Sequence, residues 1–141
     1  MDAKSARKEF WDSFQNYVNE NGNEFYATYL KGGEYQAAGN INNPSPMAMQ
    51  TICCEYKYRD NIILVQVYIN GNVSLYDSLY TQKEELEKQL GYSVEWINHG
   101  VTGAEVRRIQ KKFYINKPLK EMPKIVYPYI LDFIRVFSRY V

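Results

Sequence analysis

Three features of the chain have residue types and spacings that chemistry could use. Glu55-x-Lys57 lies in the strand-like stretch "TICCEYKYRDNIILVQVYING", and residues i and i+2 of a strand share a face. A metal-dependent nuclease combines such a pair with further carboxylates that converge on a divalent ion, the lysine orienting the attacking water. Beside this pair stand the vicinal thiols Cys53 and Cys54, and the single histidine, His99, follows in "NHGVTG". A cysteine–histidine couple is conceivable between them, but no flanking motif supports it. One histidine cannot build a histidine metal cluster, and beside Gly100 it reads as a turn residue. The glycines punctuate turns and make no phosphate-cradling loop.

A hairpin must carry Glu55 and Lys57. Strands over Met49–Tyr58 and Ile62–Asn70 flank Asp60-Asn61, a link that suits a two-residue turn. In the register of such a turn Arg59 faces Ile62, Lys57 faces Leu64, Glu55 faces Gln66 and Cys53 faces Tyr68. Ile52, Cys54, Tyr56, Tyr58, Ile63, Val65, Val67 and Ile69 then form the core side. Cys53, Glu55, Lys57, Arg59, Ile62, Leu64, Gln66 and Tyr68 form a mixed, solvated face with no second carboxylate. Glu34, Asp77 and Glu95 have no spacing that points them there. Cross-strand charge therefore explains Glu55 and Lys57 better than a metal centre does. No catalytic residue, metal ligand or cofactor is assigned. Cys54 reads as an inert core thiol and Cys53 as the more accessible of the two.

Around the hairpin, a helix over Ala3–Asn21 presents Phe10, Trp11, Phe14, Tyr17 and Val18 at helical spacing. "EYQAAGNI" reads as a strand, and the two prolines of "NNPSPM" make the next segment a loop. A second helix runs from about Ser74 to Leu90, with Leu75, Leu79, Leu86 and Leu90 on one face and Ser74/Asp77 placed like a capping box. "SVEWIN" and "AEVRRIQKKFYIN" follow as strands joined through "HGVTG". Pro128 is acceptable only in a helix's first turn, which starts the last helix near Ile125. The expected fold is one α+β domain over residues 1–141. It has a mostly antiparallel sheet of about five strands and three helices on one face, in the order α-β-β-β-α-β-β-α.

No apolar run reaches the roughly 18 residues of a membrane span. The N-terminus lacks the apolar core of a signal peptide. Together these point to a cytoplasmic protein with free thiols and no membrane partner. The net charge is +1, yet from Glu105 to Val141 nine lysines and arginines face three acids. Arg107, Arg108, Lys111, Lys112 and Lys117 form the densest part of this basic end, with Lys57 and Arg59 joining them if the hairpin lies alongside. Cations in a row suit the phosphates of nucleic acid or an acidic protein surface, and Tyr114 offers a stacking face. Fourteen tyrosines suggest, alternatively, a protein-interaction or inhibitor subunit.

"ARKEFWDSFQNYVNENG", "YRDNIILVQVYING" and above all "LYDSLYTQKEELEKQLGYSVEWIN" resemble the bacterial and archaeal domain-of-unknown-function family 4268 over nearly the whole chain. The resemblance implies the fold, with Trp11, Leu86 and Trp96 as core positions, and carries over no catalytic residues. It implies an uncharacterised activity. Members stand alone or as C-terminal modules, some behind nuclease-like domains of defence-associated proteins. The expected function is a non-enzymatic binding module for nucleic acid or an acidic partner; a magnesium-dependent nuclease and the tyrosine-rich interaction subunit are the alternatives.

Overall fold

A computed structural model describes residues 1–22, 24–30, 35–40, 50–98 and 105–141, without the side chains of 26–30 and 35–37. Glu34, the proline-containing loop over 42–47, and the link from His99 to Gly103 lie outside the described residues. The first helix, α1, covers Ala3–Asn21. Asp2 caps it, its carboxylate accepting from the Ser5 amide at 2.8 Å. Its apolar stripe buries Phe10, Trp11, Phe14 and Val18.

Six strands make one sheet: β1 (Phe25–Leu30), β2 (Tyr35–Asn40), β3 (Gln50–Lys57), β4 (Ile62–Asn70), β5 (Glu95–Ile97) and β6 (Val106–Tyr114), in the order β1-β2-β3-β4-β6-β5. All neighbours are antiparallel. The α+β class with an antiparallel sheet is thus the one expected. The strand β1 adds to the expected five, because "FYATYL" follows the α1 terminator too closely to stand out as a separate element.

Two helices replace the one expected over Ser74–Leu90: α2 (Val73–Thr81) and α3 (Lys83–Leu90). The break follows Thr81, whose hydroxyl donates to the Ser78 carbonyl at 2.7 Å and competes with the helix ladder. The split lets α2 pack on β4 while α3 packs on α4. The cap of α2 is Asn72, whose side chain accepts from the Leu75 amide at 3.1 Å, in place of the Ser74/Asp77 box. Gly91 closes α3 in the left-handed region (φ 91°), as a glycine terminator should.

The last helix, α4, covers Met122–Phe137 and starts three residues before the position inferred from Pro128. Pro123 occupies its first turn, where a missing amide costs nothing. Pro128 sits inside the helix, and it is the exposed Lys124 carbonyl that loses a partner, which water can replace. All four helices feed one core on one face of the sheet. There Phe10, Phe14, Val126, Ile130 and Phe133 meet Ile52, Cys54, Ile63, Val65, Val67 and Ile109.

Candidate nucleic-acid interface

The hairpin sets the geometry of the opposite sheet face. Its turn uses four residues, Tyr58–Asn61, with the Asn61 amide donating to the Tyr58 carbonyl at 3.2 Å and Asn61 itself at φ 55°. Asparagine tolerates that left-handed conformation, so the longer turn closes without strain. The register therefore differs by two residues from that of a two-residue turn: Lys57 pairs with Ile62, Glu55 with Leu64, and Cys53 with Gln66. An even shift keeps every side chain on its expected face.

The second face thus forms a grid. One row runs Gly39–Cys53–Gln66–Gln110–Glu95 across five strands. The next rows along it are Thr51–Tyr68–Arg108–Ile97 on one side, and Glu55–Leu64–Lys112 and Lys57–Ile62–Tyr114 on the other. The centre of this face is not solvated as expected. Cys53, Thr51, Leu64 and Gln66 are buried there, Gln66 completely. Cys53 is enclosed because β3 has strands on both sides and Gln66 and Glu55 stand beside it. Burial, reinforced by the Glu55 charge, holds the Cys53 thiol protonated far above the ordinary range. Burial does the same to Cys54, so neither sulfur is a ready nucleophile.

Glu55 is engaged in a partly buried polar network. Its Oε1 accepts a short hydrogen bond from Gln66 Nε2 and lies 3.5 Å from Arg108 Nη1. The same Nη1 is 3.4 Å from Gln66 Oε1, and the guanidinium lies over the Tyr68 ring, 5.6 Å from its centroid. Among the described residues the other carboxylate on this face, Glu95, stands three strands away, a span of about 14 Å at ordinary strand spacing. It accepts from Gln110 and sits 4.0 Å from Lys112. Among the described residues no three histidine, cysteine or acidic side chains are gathered as a metal site. Strand alternation alone puts Gln66 and Tyr68 on the solvated face, and their part in this network depends on Arg108 arriving from β6.

The basic strand β6 is split by its own alternation. Arg107 and Lys111 point to the helix side, and Arg108 and Lys112 to the open side. Arg107 is only 7% exposed; its Nε donates to Asn98 Oδ1 at 2.8 Å, and its buried Nη1 has no hydrogen-bond partner among the described residues. Lys111 Nζ stands over the Tyr92 ring, 5.5 Å from the centroid. Arg107 and Arg108 pair with Ile69 and Tyr68, at the end of β4 remote from the hairpin turn.

The other end of the sheet gathers the remaining cations. Ile115 donates its amide to the Asn61 carbonyl at 3.2 Å and accepts from Asn61 Nδ2 at 3.4 Å, which docks the turn against the end of β6. The row Lys57–Ile62–Tyr114 and the neighbouring Lys112 thus lie at the turn end of the sheet, with exposed Arg59 in the turn itself and exposed Lys117 two residues beyond Ile115. Tyr114 is 70% exposed. A cleft of about 370 Å³ adjoins it, lined by Ser93, Val94, Glu95, Gln110, Lys111, Lys112 and Tyr114. It forms because β5 spans only three residues and pairs only with Arg108–Gln110. Of the tyrosines whose side chains are described, only Tyr80 and Tyr114 are exposed.

Burying Arg107 without a full set of partners costs stability, since a buried cation with an open donor is uncompensated. Arg107→Met keeps the apolar stem and removes the charge. It is expected to raise the unfolding free energy by about 1 kcal/mol or more, measured by urea denaturation, and to leave any binding at the far end unchanged.

Among the described residues no helix is long and apolar enough to cross a membrane. No curated protein and no solved structure matches the chain. The family model for the domain of unknown function DUF4268 matches residues 6–136, from within α1 to the last turn of α4. Nearly the whole chain is covered, and the protein belongs to the DUF4268 family.

Proposed function

We propose that this domain is a binding module for nucleic acid, and that its contact surface is the end of the sheet formed by the hairpin turn and the close of β6. The carrying observation is the docking of Asn61 on Ile115, which supports one shared end of the sheet for the turn with Arg59, the strand ends with Lys57, Lys112 and Tyr114, and Lys117 beyond Ile115. Phosphates need only several cations along a track, and each neutralised phosphate releases counterions. Arg107 and Arg108 contribute little to this track: the first is buried, and the second is shared between Glu55, Gln66 and Tyr68.

An alanine set at Lys57, Arg59, Lys112 and Lys117 tests the reading by fluorescence anisotropy with labelled DNA and RNA. Removing four phosphate partners is expected to weaken binding at low salt by at least about tenfold. Thermal denaturation should show the set folding like the parent, since these side chains leave the core intact. Absence of binding at low salt, or equal affinity for polyglutamate, would assign the surface to something other than nucleic acid.

A further inference from the structure

Resting on the reading above, the geometry points to single-stranded nucleic acid as the substrate class, with Tyr114 as the platform for one unpaired base. Tyr114 ends the open face of β6 and is the most exposed aromatic side chain among the described residues. Beside it in the same row Ile62 is 7% exposed, giving the ring an apolar floor instead of a competing charge. Lys112, two residues back on the same face, lies about 7 Å along the strand. The cations therefore flank the ring rather than cover it.

The cleft next to Tyr114 measures about 370 Å³, at the small end of ligand clefts. Its walls supply Lys112 for phosphate and Gln110 and Ser93 for polar edges, with Lys111 and the Glu95 carboxylate completing the lining. Lys111 stands over Tyr92 on the helix side, and Lys112 lies 4.0 Å from Glu95 on the open side. A duplex keeps its bases stacked on each other and offers neither a free base face to Tyr114 nor a single chain to the cleft. An unpaired strand offers both, and base–aromatic stacking tolerates any sequence.

The test compares anisotropy of labelled oligo-dT and oligo-rU with a duplex of equal length, at one salt concentration, for the parent, Tyr114→Ala and Tyr114→Phe. The parent is expected to prefer the single strands. Tyr114→Ala should lose about tenfold on single strands and nothing on the duplex, in line with one stacked base. Tyr114→Phe, which keeps the ring, should bind like the parent. Equal affinity for single and double strands, or a Tyr114→Ala loss that is the same on both, overturns the inference while leaving nucleic-acid binding intact. Failure of every probe to bind at low salt removes the underlying reading as well.

Discussion

Phe10→Ala is expected to lower the unfolding free energy by about 3–5 kcal/mol, the cost of a large cavity in a packed core. The ring is fully buried and lies 4.8 Å from the Trp11 ring and 5.1 Å from the Tyr56 ring, centroid to centroid. It therefore ties α1 to β3, where the hairpin begins to rise toward the basic end. Domains of this kind hold about 5–15 kcal/mol in total, so the variant should be near the edge of folding at room temperature. Urea denaturation followed by far-ultraviolet circular dichroism measures the loss. A cost below about 1 kcal/mol, the value of an ordinary surface change or less, would mean that α1 does not seal this face of the sheet.

Glu55→Ala should also destabilise, by about 1–3 kcal/mol, and here the direction separates two accounts of the residue. Gln66 is completely buried, and its Nε2 donates to Glu55; truncation strands that donor and leaves the Arg108 guanidinium with a lesser partner. Glu55→Gln retains an acceptor and should lose less. The double variant Glu55→Ala/Gln66→Leu should recover part of the loss, because both ends of the hydrogen bond are then gone. A carboxylate kept for catalysis is held at the expense of stability, so its removal is neutral or stabilising. If Glu55→Ala left the urea midpoint unchanged or raised it, the structural account of Glu55 would fail and the metal-nuclease alternative would gain.

Most of the fold was readable because period and punctuation agreed. Helix α1 begins and ends at the residues its stripe and Asn21-Gly22 indicate, and the even spacing of β3 and β4 assigns each side chain to its face. What escaped was set by contacts that no local pattern carries. The four-residue turn moved the hairpin register by two, since Asn61 could adopt a positive φ as readily as a two-residue turn could form. Thr81 broke a helix that leucine spacing alone would have continued. Pro128 was tolerated inside α4 because the carbonyl it leaves without a partner is on an exposed residue.

The candidate site was legible in part. Lys57, Arg59, Lys112 and Lys117 fall at one end of the sheet, where a contact that sequence separation conceals joins Asn61 to Ile115. Arg107 and Arg108 do not join them, and strand alternation explains why: neighbouring residues of β6 face opposite sides, and a position near the far end of β4 places both about four residues from Lys112 along the strand. The polar look of its face makes Cys53 the more accessible thiol by sequence alone. Its burial depends on the width of the sheet around it, which only the strand order reveals.

The salt dependence of binding tests the central claim most directly. Affinity for a labelled single strand should be measured across a series of salt concentrations, for the parent and for the Lys57/Arg59/Lys112/Lys117 alanine set. Four phosphate contacts predict a slope of log K against log salt of about −3 for the parent, at roughly −0.7 per contact on a single strand. The alanine set should flatten that slope toward zero, while Arg107→Met should leave it in place. A parent slope near zero, or one that the four alanines do not change, would contradict the assignment of this end of the sheet to phosphate.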